Sequence, residues 1–224
     1  MANSSHLLRL LHLASPALPI GAFHFSQGLE YAVECEAVKD EHSASEWIEG
    51  VARYAIATLD LPILLRLHRA YLAQDEAAIE CWSSMLVASR ETEELRAEDR
   101  HMGRALARIL SDLGVCPKLD EAEHARATYI AVFARACAAW SIEERDALET
   151  YAWAWAENQT LAAVKLVPLG QTAGQRILHG LVPTLAMLSQ QALRLADEDI
   201  GTTNLMQTFA SARHETQYTR LFRS

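Results

Sequence analysis

Residues 43–73 read SASEWIEGVARYAIATLDLPILLRLHRAYLA, and their spacing decides the fold class. Trp47, Ile48, Val51, Tyr54, Ala55 and Thr58 recur at three- to four-residue intervals, which lays one apolar stripe along a helix of about 16 residues. Ser43 and Glu46 make a capping-box pair ahead of it, since their side chains can satisfy the first free amides of a helix beginning there. Asp60 followed by Pro62 then predicts a restart: a capping side chain with proline in the first turn begins a helix rather than continuing one. A second helix is therefore expected over 61–73.

The same punctuation extends outward. Ser141 and Glu144 repeat the capping box, and helical patterns cover 75–88, 91–113 up to Gly114, 121–139, 142–167, 171–196 and 203–212. No run alternates polar and β-branched residues, so sheet content is expected to be near zero. An all-α, single-domain bundle of about ten helices spanning 1–224 follows, because no repeat, low-complexity tract or polar linker divides the chain. Within 91–113 the charges of Glu91, Glu93, Glu94, Arg96, Glu98, Asp99 and Arg100 fill the first half, which predicts a solvated face. Leu106, Ile109, Leu110 and Leu113 form an apolar stripe in the second half. Two segments resist a helical reading. SPALPIGAFHFSQG (15–28) has two prolines and two glycines around Phe23 and Phe25, which predicts an ordered elbow. In KLVPLG (165–170), Pro168 ends one helix and lets another start. Pro183 is expected to kink or break the helix that follows.

Composition limits the task without naming it. Half of the 224 residues are hydrophobic, enough for a core, and 29 acids against 20 bases give a formal charge of −9. That balance lacks the broad basic footprint of a nucleic-acid binder. Four cysteines form no CxxC pair and read as reduced thiols of a cytoplasmic protein, with Cys116 in the turn-like run Gly114-Val115-Cys116-Pro117 able to reach solvent. Nine histidines form no HxH, HxxxH or HExxH arrangement, which argues against an intrinsic tight metal site. The apolar stretch 7–13 is interrupted by Arg9 and His12 and makes a poor signal sequence. The uncharged run 177–193 contains His179, Gly180 and Pro183 and falls short of the roughly 20 apolar residues that span a bilayer, so no membrane association is expected.

Tests for chemistry return structural readings. GQTAGQR (170–176) lacks the spacing and the Lys-Ser/Thr of a phosphate loop and follows no strand. Ser26 lies in no GxSxG elbow and suits a helix N-cap. Glu93, Glu94 and Glu98 are explained by a charged helix face more simply than by an acid/base pair. Trp140, Tyr151, Trp153 and Trp155 are too close together to share one face, so at least one must border a groove, a partner or solvent. The terminal segment SARHETQYTRLFRS (211–224) is locally basic, with Arg213, Arg220 and Arg223 against Glu215 alone, and it also carries Tyr218, Leu221 and Phe222. Such a tail can pack back on its own domain, but aromatic-plus-arginine composition favours docking on a partner chain.

Taken in order, LPIGAFHFSQGLEYAVE (18–34), SRETEELRAEDRHMGRALARIL (89–110), KLVPLGQTAGQRIL (165–178) and the terminal SARHETQYTRLFRS resemble the UreF family of urease accessory proteins. DLP at 60–62 and DIG at 199–201 fit the same pattern. The likeness covers essentially the whole chain, and the ordered set is far more specific than any single motif.

The resemblance implies an all-helical, two-fold dimeric scaffold with no catalytic residues of its own. Such proteins bridge UreD (also called UreH) and the nickel-carrying GTPase UreG in a complex on apo-urease. GTP is then bound and hydrolysed by UreG, nickel is handled by the complex, and no cofactor or metal is held tightly by this chain. By matched position, Ser26, Gln27, Glu30, Lys165 and Gln171 look like the surface toward UreG. Arg213, His214, Glu215, Tyr218 and Arg220 look like the tail that becomes ordered on UreD. Phe23 and His24 stand where many relatives have Tyr and Ser, which leaves no counterpart for those hydroxyls. Two rival readings stand beside this one: a small enzyme gathering His24, Glu30 and Lys165 for acid/base work, and a nickel-storing metallochaperone using His24, Cys116 or His214.

Overall fold

In the computed structural model, which describes residues 3–224, helices are joined by short loops and no strand occurs among the described residues. α1 (Asn3–Ala14) enters the expected elbow, where a 3₁₀ turn, Ala22–His24, precedes α2 (Leu29–Glu34). There follow α3 (Glu41–Val51), α4 (Leu61–Ala73), α5 (Glu76–Ser89), α6 (Glu93–Asp112), α7 (Glu121–Arg126), α8 (Tyr129–Ala139), α9 (Glu144–Leu166), α10 (Gln171–Ala192) and α11 (Leu205–His214). The all-α expectation holds.

The chain does not restart at Asp60. α3 continues through a π-helical stretch, Ala52–Asp60, directly into α4, and Asp60 is itself helical with a side chain that caps nothing. Proline falls where the π ladder gives way to the α ladder: Leu61 N still bonds to Ile56 O, and the carbonyl of Thr58, four residues before Pro62, accepts from Gly201 N at 2.9 Å. α4 is then buried on nearly every side: Leu61, Ile63, Leu64, Leu65 and Leu67 are at most 1% exposed. This explains the uninterrupted apolar run, each such leucine or isoleucine contributing about 1.5–3 kcal/mol of burial. α4 packs on α8 and α9, α9 lies along α10, and α1 covers α9.

Other boundaries move for local reasons. The capping box of α3 belongs to Asp40, whose carboxylate takes Ser43 N at 2.8 Å, so Ser43 sits three residues inside the helix. Ser141 has a left-handed backbone and caps nothing; α9 begins at Glu144 without a side-chain cap. The helix expected over 121–139 breaks at Thr128, which caps α8 by accepting Ala131 N at 3.2 Å. Gly103 of α6 presses on that junction: a Cβ there would lie 2.4 Å from the Ala127 carbonyl oxygen. α10, in contrast, runs through Pro183 without interruption.

The first half of α6 is not a solvated face. Glu98 and Asp99 are only 5% and 7% exposed, and the helix turns them into the protein's polar centre. Trp153 borders a groove shared with Leu7, Leu11 and Val182, while Trp155 is buried.

Candidate docking site at the elbow and tail

The elbow and the tail are distant in sequence and joined in space. Gly28 permits this: its φ of 86° is left-handed, and a Cβ on it would stand 2.8 Å from Ser211 N of α11. With α11 seated there, the chain after it doubles back across α2 and α6. Ser26 N donates to the backbone oxygen of Ser224 at 2.7 Å, its hydroxyl bonds to the same oxygen, and Arg223 N donates to His24 O at 2.8 Å. Ser26 does accept from an amide, that of Glu30 at 3.3 Å, but Gly28 holds the N-cap position of α2.

Glu30, in the first turn of α2, clamps the returning tail. Its two carboxylate oxygens accept Leu221 N at 2.6 Å and Phe222 N at 2.8 Å, and His214 Nε2 stands 3.0 Å away. The other ring nitrogen of His214 faces Glu94 at 2.7 Å, and Arg220 reaches the same carboxylate at 2.8 Å. Carboxylates only accept, so the ring must supply two N–H donors or one of the carboxyls must carry a proton. Glu215 completes the seam by accepting Glu93 N at 2.8 Å, at the N-terminus of α6, where an anion complements the helix dipole.

A second layer lies beneath. Glu98 accepts from Gln27 Nε2 at 2.8 Å and from Ser224 Oγ at 2.9 Å, and Trp155 Nε1 donates to Gln27 at 2.9 Å. Burial pushes the Glu98 carboxyl up to about 7, against the pull of those two hydrogen bonds. Deeper still, Arg90 bonds to Asp60 at 2.8 and 3.2 Å and to Asp99 at 3.0 Å, while Tyr151 OH donates to Asp60 at 2.9 Å. Burial alone works against the guanidinium charge, but Asp60 and Asp99 beside it hold Arg90 protonated. Asp99 also accepts Tyr129 N at 3.0 Å, fixing the start of α8.

The expected site residues therefore sort by depth rather than by partner. Ser26 is fully buried, Glu30 is 8% exposed and Gln27 is half-buried; all three hold internal bonds rather than an open surface. His214 is fully buried between Glu30 and Glu94. Arg213, Glu215, Tyr218, Arg220 and, with its ammonium 4.9 Å from the centre of the Phe222 ring, Lys165 lie on the outside. Gln171 is exposed at the start of α10. Both oxygens of Glu30 are taken by tail amides, which removes it from the proposed acid/base trio. His24, Cys116 and His214 do not meet: Cys116 is buried beside Tyr71 and Arg135, and among the described residues no group of three or more His, Cys, Asp or Glu is gathered for a metal ion.

Glu94, Glu98, Asp60, Arg90, Asp99 and Ser224 escaped sequence reasoning. One signal was present. Running the stripe of Leu106 and Leu110 backwards gives Met102, Asp99 and Leu95, so Asp99 occupies an apolar-face position and was due to be buried.

Fold and site together define an all-helical protein whose polar groups chiefly tie its own tail to its body. Residues 38–182 match the UreF family model. The chain is similar to the urease accessory protein UreF of Alkalilimnicola ehrlichii, 47% identical over 96% of this chain and 95% of that one. It is likewise similar to those of Alcanivorax borkumensis, at 45% over 99% and 100%, and Methylobacillus flagellatus, at 43% over the full length of both. The chain belongs to the UreF family of urease accessory proteins. Among the described residues no helix is long and apolar enough to cross a membrane.

Proposed function

We propose that this chain is a non-enzymatic, cytoplasmic scaffold of urease maturation, working as a homodimer that bridges UreD and the GTPase UreG and supports GTP-dependent nickel insertion into apo-urease. Family membership supports the maturation role. The observation that carries the bridging role is the two-sidedness of the tail. Its inner residues, His214, Phe222 and Ser224, are anchored in the body, whereas Tyr218 is wholly exposed and Leu221 is 56% exposed, flanked by Arg213, Arg220 and Arg223. A strap fixed from beneath presents those aromatic, aliphatic and arginine groups already ordered, which lowers the entropic cost of docking. UreD takes this outer face in our reading, and Lys165 with Gln171 takes part in the contact with UreG.

The test uses variants that spare the anchored side. Tyr218→Ala with Leu221→Ala should leave the fold intact, reduce co-purification with UreD and lower urease activation in cells. Normal capture of UreD by this variant would remove the tail from the interface. Lys165→Glu should weaken recruitment of UreG to the preformed complex, and unchanged recruitment would move the UreG contact elsewhere.

A further inference from the structure

A concavity opens where the end of α4, the first half of α5, the chain after α6 and α7 meet α8, and no residue of the elbow or the tail lines it. Small side chains make the space. Ala131, Arg135 and Ala138 recur at helical spacing on one face of α8, so two alanines flank one long side chain, and Ile79, Val115 and Val132 supply apolar walls. The volume, about 470 Å³, falls within the range of ligand cavities, roughly 300–1,000 Å³.

Three polar groups in these walls have no hydrogen-bond partner among the described residues. The Arg135 side chain is only 15% exposed, and its polar contact is an ion pair with Glu123 at 3.6 Å. That carboxylate is already engaged at the start of α7, where it accepts from Asp120 N at 2.8 Å. The hydroxyls of Tyr71 and of Ser83, a residue 2% exposed, bond to nothing. Burial raises both the Tyr71 phenol and the Cys116 thiol, and Arg135 is the strongest charge acting against it in each case, which puts the guanidinium near both walls. The other charges lie further out: Arg126 pairs with Glu80 at 3.4 Å, and Glu76 is exposed. A largely buried guanidinium with its donors unfilled is costly unless an anion meets it.

We infer that this cavity binds a small organic monocarboxylate with an apolar body. The carboxylate pairs with Arg135, whose planar fork matches its two oxygens, and the Tyr71 and Ser83 hydroxyls serve as further donors. The hydrocarbon lies against Ile79, Val115 and Val132. With Glu123 and Glu76 on the same cavity, the site suits a single negative charge rather than a phosphate dianion. This goes beyond the scaffold reading and does not depend on it, since no residue assigned to UreD or UreG lines the cavity.

The experiment titrates the purified full-length chain with 4-phenylbutyrate, followed by calorimetry and by NMR of the ¹⁵N-labelled backbone. The expected result is one probe bound per chain, with the largest shifts at Ala131, Val132, Arg135 and Ala138. Neutral 4-phenylbutyramide should bind at least about tenfold more weakly, the low end for loss of a hydrogen bond to a charged group. Arg135→Met should weaken binding of the acid by at least about tenfold, and Arg135→Lys, which keeps the charge without the fork, should also weaken it. Ala138→Phe keeps the guanidinium, fills the space and should abolish binding. Thermal unfolding identifies the folded variants, and Arg135→Lys with Ala138→Phe decides the question if Arg135→Met does not fold. No binding, equal affinity for acid and amide, or affinity unchanged in Arg135→Lys and Ala138→Phe overturns the site. UreD and UreG capture is read separately, so this result and that of the scaffold tests fail independently.

Discussion

His214 Nε2 stands 3.0 Å from Glu30 Oε2, a contact that closes the end of the chain onto its beginning. The same carboxylate holds the amides of Leu221 and Phe222, so one side chain carries three of the bonds that seat the tail. Glu30→Ala leaves those amides and the ring without their acceptor in a buried setting and is expected to cost about 3–5 kcal/mol. Urea unfolding measures the loss, and hydrogen exchange should show protection vanishing first at Leu221 and Phe222. Retained protection there would mean that the clamp is dispensable.

Glu98 makes stability pH-dependent with an unusual sign. Its carboxyl is raised from 4.5 to about 7 by burial, so the folded state holds this proton more tightly than the unfolded chain. The contribution is fully present below about pH 4.5 and disappears as pH rises through about 7. Glu98→Gln, which mimics the protonated form, should flatten that part of the stability profile and gain on the order of 3 kcal/mol over wild type at pH 8. Parallel slopes for the two proteins between pH 5 and 8 would contradict it.

The Arg90 cluster predicts unequal costs at its members. Arg90→Met strands Asp60 and Asp99 without their cation and should destabilise by about 3–5 kcal/mol. Tyr151→Phe removes one hydrogen bond to a charged group, about 1.5–3 kcal/mol. In the double variant the two costs should not add, because both groups act on Asp60; strict additivity in denaturant unfolding would show them to be independent.

Gly103→Ala tests the close approach of α6 to the start of α8. The new methyl meets backbone rather than a movable side chain, so α6 must shift, with an expected loss of about 1–3 kcal/mol in thermal or denaturant unfolding despite alanine's better helix propensity. Unchanged or raised stability would mean that the junction yields freely.

Periodicity and punctuation are local, and what they encode was readable: the helical class, the absence of strands among the described residues, the Pro/Gly elbow, the 61–73 helix and the terminal break after 167 follow from spacings of a few residues. Ordered motifs pointed to the UreF family before any geometry was known. What could not be read was where polar residues go. Asp60 before Leu61-Pro62 has the local signature of a cap, yet its carboxylate pairs with Arg90, thirty positions away along the chain. Glu98 and Asp99 look like surface charge until α8, the elbow and the tail close over them. Ser26 and Glu30, expected on one face, and His214, expected on another, share one seam. A charged side chain is equally at home in water or against a buried partner, so its sequence neighbours do not decide between them; only the tertiary structure, by bringing a complementary group within about 3 Å and excluding water, does.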